Sequence, residues 1–218
     1  MSDSRVPASL LAAVRNDLRP VRPLASPLVR ALALLPLGAI LLFGIPAFWA
    51  GRTITGLTPT SWWILSGLEA AVGLLVMWAG FREAVPGREL PGRLLGLLGF
   101  LAASAFVLIN LSETPLAPEV SFETTARWVG ECLGVAMTFA IPALLLPAWL
   151  VSRALPNRPG IAGALCGLAI GLMADAGLRL FCWDGDRSHV VIAHGGAIAI
   201  LGGLGALAGT LVERGKER

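Results

Sequence analysis

The chain has no tyrosine, only two histidines and three cysteines, and charged side chains make up just 14% of its residues. Soluble domains carry roughly 25% charged residues, so this scarcity argues against a water-facing globular surface. No two cysteines stand closer than Cys166 and Cys182, which excludes the reactive Cys-x-x-Cys pair of a thiol oxidoreductase. Serines are few and flank the apolar stretches, apart from Ser66 and Ser104, so no intramembrane nucleophile–base arrangement stands out. Walker, dinucleotide-binding and metalloprotease motifs are missing too. The expectation is a protein that is not an enzyme and needs no cofactor.

Long hydrophobic runs, by contrast, are plentiful. Six stretches, at 31–50, 61–81, 94–111, 128–150, 161–181 and 190–212, dominate a chain that is 56% hydrophobic. Each has about 18–23 residues, enough to cross roughly 30 Å of hydrocarbon as a helix. Basic residues concentrate in alternate connections. Arg5, Arg15, Arg19, Arg22 and Arg30 precede the first stretch; Arg82, Arg88 and Arg93 follow the second; Arg153 and Arg158 follow the fourth; Arg214, Lys216 and Arg218 end the chain. The other three connections hold one each, Arg52, Arg127 and Arg187. The positive-inside bias then puts both termini in the cytoplasm. The expected fold is an all-α membrane protein, a bundle of six transmembrane helices. It divides into a cytoplasmic arm (1–30), a six-helix domain (31–212) and a short cytoplasmic tail (213–218).

All seven tryptophans sit at or near stretch ends, where amphipathic rings favour the headgroup region. The net charge of +3 comes from the inward-side arginines, so no direct nucleic-acid partner is implied. A cleaved leader is not expected, because the first apolar stretch is too long for a signal core. The fifth and sixth stretches carry small-residue ladders, Gly163-Gly167-Gly171 and Gly205-Gly209, which predict a closely packed helix pair.

The arm offers the only sizeable cytoplasmic surface. Pro7 is placed to open a short helix whose stripe is Leu10, Leu11, Val14 and Leu18. Pro20, Pro23 and Pro27 then force an extended leader into the membrane. Two readings stay open for that stripe: contact with membrane lipid, or insertion into a partner's groove.

Within the stretches, Glu69, Asp175 and Arg179 are the ionisable groups in hydrocarbon. Asp175 and Arg179 stand four residues apart, the spacing of a self-contained ion pair, while Glu69 lacks a partner on its own helix and has Arg179 as a candidate across the bundle. Glu69, with proline in both the first and fourth stretches (Pro46, Pro142), keeps a small proton- or ion-coupled transporter as the competing functional class.

Cys132 begins the fourth stretch and Cys182 ends the fifth, both at the outer face. A disulfide, a redox switch and thiolate ligation of a soft metal all remain open. Glu131, Asp184, Asp186, His189 and His194 lie near enough in sequence to join them, and two thiolates with imidazole or carboxylate suit zinc, cadmium or copper(I). For His194 the ordinary alternative is a hydrogen-bonded structural role. Cys166 is about 24 Å of helix from Cys182 and is expected to pack as a small apolar residue.

The run Asn16-Asp17-Leu18-Arg19-Pro20-Val21-Arg22-Pro23-Leu24 resembles the N-terminal signature of the NrsF family of membrane anti-sigma factors. Trp128-Val129-Gly130-Glu131-Cys132 and Phe181-Cys182-Trp183-Asp184-Gly185-Asp186 resemble that family's two cysteine regions. The resemblance implies a bacterial inner-membrane protein that sequesters an extracytoplasmic-function sigma factor and releases it under redox or heavy-metal stress. On that basis Leu11, Val14, Asp17, Leu18, Arg19, Pro20 and Val21 become candidates for partner binding, and Cys132 and Cys182 for sensing.

Overall fold

A helix satisfies its own backbone, which is why a chain this apolar resolves into helices. The computed structural model describes residues 7, 9–10, 12–13, 23–45, 47, 60–112, 122–154, 156–180, 182 and 187–216, and among them there is no strand. Six helices are long and apolar enough to cross a membrane. We number them α1 (Pro27–Gly44), α2 (Thr60–Glu83), α3 (Gly92–Ser112), α4 (Phe122–Ser152), α5 (Pro159–Arg179) and α6 (187–216). The last joins Arg187–His189, a π-helical segment Val190–Gly195, and Gly196–Lys216. A second π segment, Ile40–Gly44, ends α1.

The first helix starts earlier than hydropathy indicates. Pro27 supplies the first-turn φ and lacks the amide that would go unbonded, while Ser26 Oγ accepts from Val29 N at 3.3 Å. Arg30 consequently belongs to the helix and not to the arm. It is buried, with Nη2 donating to Phe81 O at 2.9 Å and Nη1 to Leu150 O at 3.4 Å, and its guanidinium lies 4.9 Å from the Phe81 ring centre. Both carbonyls fall in the last turns of α2 and α4, where helices leave acceptors unused. One side chain thus pins three helices together. Replacing Arg30 with methionine should destabilise the solubilised bundle by about 2–3 kcal/mol, the range for a charged donor lost. Thermal unfolding in detergent would read this out.

The burial pattern is inverted relative to a soluble protein. Ile64, Phe100, Leu108 and Leu145 face outward, whereas Glu69, Glu83, Asp175, His189 and His194 are buried. At the centre stands α5, packed against α2, α4 and α6 and touching α1. Its glycines make that position possible. A Cβ on Gly163 would meet Gly205 O, one on Gly167 would meet Leu201 O, and one on Gly177 would meet Leu41 O. The expected α5–α6 ladder is present, and it extends to α1 through Gly177. Cys166 is buried against Gly80 of α2, in the packing role expected of it.

At the end of the bundle carrying most arginines, two connections are stitched together. Glu83 Oε1 accepts from Leu90 N, Glu83 Oε2 lies 4.0 Å from Arg158 Nη1, and Glu89 Oε1 accepts from Asn157 Nδ2 at 2.7 Å. Hydrogen bonds from its own amide, from Gly87 and from Asn157 hold the Glu89 carboxyl below the usual carboxylate range.

Candidate thiol and histidine site

At the opposite end, the start of α4 meets the junction of α5 with α6. Cys132, eleven residues into α4, is buried there beside half-buried Cys182, with the two sulfurs 3.5 Å apart. Neither is in a disulfide. His189 Nε2 lies 3.2 Å from Cys182 Sγ, and the rings of His189 and His194 meet edge to face with centres 5.4 Å apart. Ligand atoms from Cys132, Cys182, His189 and His194 all lie within 4.8 Å of one another.

The two histidines face one site because of the π segment. An α-helix turns about 100° per residue, so residues five apart point about 140° away from each other. A π turn, closed by i→i+5 bonds, brings such residues one above the other. Val190–Gly195 is that turn, lying between His189 and Gly196 and containing His194. Small-residue neighbours at this end, Ala193 and Ala197, are buried beneath it.

A chain of buried polar groups runs from His194 into the bundle. His194 Nδ1 meets Asp175 Oδ1 at 2.6 Å, and Asn110 Nδ2 donates to Asp175 Oδ2 at 2.9 Å. The same amide nitrogen stands 3.4 Å from Glu69 Oε1. Arg179 donates through Nη1 to Ile109 O at 2.5 Å and interacts electrostatically with Glu69. Asp175, for its part, is engaged by groups on two other helices, His194 and Asn110, beyond the same-helix pairing its spacing indicated.

This arrangement fits a four-coordinate soft or borderline metal ion. Asp175 holds Nδ1 of His194, leaving Nε2, which is buried and among the described residues has no hydrogen-bond partner. A carboxylate fixing the far nitrogen of a ligating imidazole is the usual outer support of such sites. A tetrahedral ion bound at about 2.3 Å from each thiolate sets its two sulfurs about 3.8 Å apart, close to the observed 3.5 Å. Two thiolates and two imidazoles suit zinc or cadmium. The neighbouring Cys132 sulfur, then burial, raise the Cys182 thiol above its ordinary pKa, while both histidines pull it down.

Of the residues named from sequence, Cys132 and Cys182 are brought together, and His189 and His194 join them. Glu131 is exposed and outside the cluster. Asp184 and Asp186 lie outside the described residues, as do Leu11, Val14, Asp17, Leu18, Arg19, Pro20 and Val21. Of the arm, residues 9, 10, 12 and 13 are helical and Leu10 N donates to Pro7 O at 3.0 Å, which matches the helix start expected at Pro7. Sequence reasoning did not single out Asn110. Its signal was an amide inside an apolar run, the same signal that drew notice to Glu69.

A protein-family model described as negative regulator of sigma F, NrsF, matches residues 14–214. No curated protein and no solved structure matches the chain.

Proposed function

The chain belongs to the NrsF family, negative regulators of sigma F, and from that membership we propose that it is an inner-membrane anti-sigma factor. Its partner is an extracytoplasmic-function sigma factor, held at the cytoplasmic face by the arm around Leu11, Val14, Asp17, Leu18, Arg19, Pro20 and Val21. Cys132 and Cys182 detect the stress at the far face, as a soft metal or an oxidant. The observation that carries the sensing part is the convergence of both thiols with His189 and His194 within 4.8 Å. A metal ion there would bridge α4, the α5–α6 junction and α6 by one set of bonds. Cys132 and Cys182 would supply charge, His189 and His194 would complete the tetrahedron, and Asp175 would orient His194. Coupling requires that the signal favour the released state over the holding state.

The basic inner-side connections support cytoplasmic termini by the positive-inside bias. Small transporters call for matching broken helices in two halves. The two π segments lie in α1 and α6, which are not corresponding positions in a three-plus-three repeat.

The decisive experiment is a pull-down from detergent-solubilised membranes, with the intact chain beside one lacking residues 1–24. A sigma factor should be recovered with the first and lost with the second. Changing Leu11, Val14 and Leu18 together to aspartate should release the sigma factor while leaving membrane insertion intact. Sigma-factor recovery reduced less than about tenfold would move partner binding off this stripe, since burying three carboxylates in an apolar groove costs far more than that.

A further inference from the structure

Two cavities lie between α1 and α2, in line along both helices, the deeper one bounded also by Met173 of α5. The first, about 310 Å³, opens at the arginine-rich end and is lined by Ser26, Leu28, Trp78, Arg82, Arg88 and Glu89. The second, about 230 Å³, lies deeper and is lined by Leu35, Ala39 and Leu42 of α1 against Gly67, Ala71 and Leu74 of α2. The lining residues form one stripe on each helix. On α2 it runs Gly67, Ala71, Leu74, Trp78, Arg82, each three or four residues beyond the last, so all point the same way. On α1, Leu28, Leu35 and Leu42 repeat at intervals of seven. The groove therefore has a cationic mouth and an apolar tail.

We propose that this groove seats one anionic glycerophospholipid, with its phosphate between Arg82 and Arg88 and an acyl chain along the small-residue tail. Charge and length both select this occupant. Arg82 stands with its guanidinium 5.6 Å from the Trp78 ring centre and its Nε donating to Arg88 O at 3.1 Å, which ties the side chain to the connection that carries Arg88. The one carboxylate in the lining, Glu89, already accepts from Gly87 N at 3.2 Å and Asn157 Nδ2 at 2.7 Å. Tryptophan beside arginine at a helix end is the pairing that marks the headgroup level, and basic pockets between membrane helices bind anionic headgroups. From Trp78 down to Gly67 is about 16 Å of helix at 1.5 Å per residue. That is about half of a 30 Å hydrocarbon core, the depth of one leaflet. A helix from a second copy would fill the tail but would leave the two arginines without an anion.

The test is native mass spectrometry of the full chain in detergent, titrated separately with phosphatidylglycerol and phosphatidylcholine of equal chain length. Phosphatidylglycerol should be retained about 25-fold more tightly, and the Arg82→Gln/Arg88→Gln double variant should lose that preference, since each arginine near an anionic surface contributes about fivefold. Gly67→Leu should also lower phosphatidylglycerol retention. A Cβ there meets nothing within 4 Å, so the new side chain starts in open space, and an unchanged unfolding midpoint would show that the fold is kept. Arg93→Gln, a change at the same end but outside the groove, is the control. Equal retention of both lipids overturns the proposal, and so does an equal loss with Arg93→Gln, because either means general contact with surrounding lipid. A dimer dissolved by Gly67→Leu, with phosphatidylglycerol retention unchanged, would assign the groove to a second copy instead.

Discussion

Replacing Cys182 with serine should weaken Cd²⁺ binding by the detergent-solubilised chain by more than about 100-fold. The magnitude follows from the ordering of effects around a metal. Outer-shell partners of a ligating histidine are worth 10–100-fold in affinity, so Asp175→Asn, which leaves all four ligand atoms in place, should fall in that interval. Loss of a thiolate removes a charge and a bond to the ion together, and must exceed it. His194→Gln should lie between the two, because an imidazole contributes a bond without a charge. The absorption of the cadmium–thiolate band, followed in competition with a chelator of known affinity, measures all three. A Cys182→Ser effect confined to oxidant response, with cadmium affinity unchanged, would assign the thiols to redox chemistry alone. Equal affinities for the His194 variant and the parent would leave a two-thiolate site.

Replacing Gly167 with valine should cost at least about 3 kcal/mol and leave little folded protein in the membrane. Overpacked cores usually relax by moving side chains, which limits the cost to about 1–3 kcal/mol. Here the obstacle to a Cβ is the carbonyl of Leu201 and the backbone around Gly202, and neither can turn aside. Helices α5 and α6 would have to separate along their whole contact. Gly203, one residue further along α6, provides the comparison, since a Cβ there meets nothing within 4 Å. Gly203→Ala should be neutral or stabilising by up to about 1 kcal/mol, the usual gain from removing a helical glycine. Thermal unfolding of both variants in the same detergent separates a local packing effect from a general dislike of change in these helices. Similar midpoints for the two would mean that α5 and α6 are not held at backbone distance.

The architecture was legible in the sequence because it follows from one dominant quantity, the free energy of placing side chains in hydrocarbon. Each of the six apolar stretches lies within or overlaps one of the six helices, and the glycine ladders of α5 and α6 face each other as their spacing requires. Arg30 shows where that quantity stops being informative. A lone arginine at the edge of an apolar run reads as part of the leader, and only the nearby ends of α2 and α4 make its burial favourable. The candidate site was half legible. Its thiols could be put at one depth by counting residues along helices, but His189 and His194 would point apart on a regular helix. Their convergence depends on the π segment Val190–Gly195, which no periodicity in the sequence announces. Asp175 was legible only in part for a related reason. Its i, i+4 neighbour Arg179 is visible in the sequence, whereas His194 and Asn110 are partners only once three helices have come together.

The central position of α5 bears on how the bundle is made. Synthesis proceeds from the N-terminus at roughly 5–20 residues per second, so about 130 residues separate the emergence of α1 from that of α5, a wait of about 7–26 s. During that wait the first four helices are in the bilayer without the element that most of them pack against. Glu69 is then without Asp175 and Arg179, with Asn110 of α3 as its partner, and Cys132 is without Cys182 and the histidines. The nascent chain thus passes through a stage in which its polar interior groups are present but only partly matched. Quality control that recognises exposed polar residues in the membrane would act on this protein at that stage, and a chain stalled before α5 would be its natural substrate.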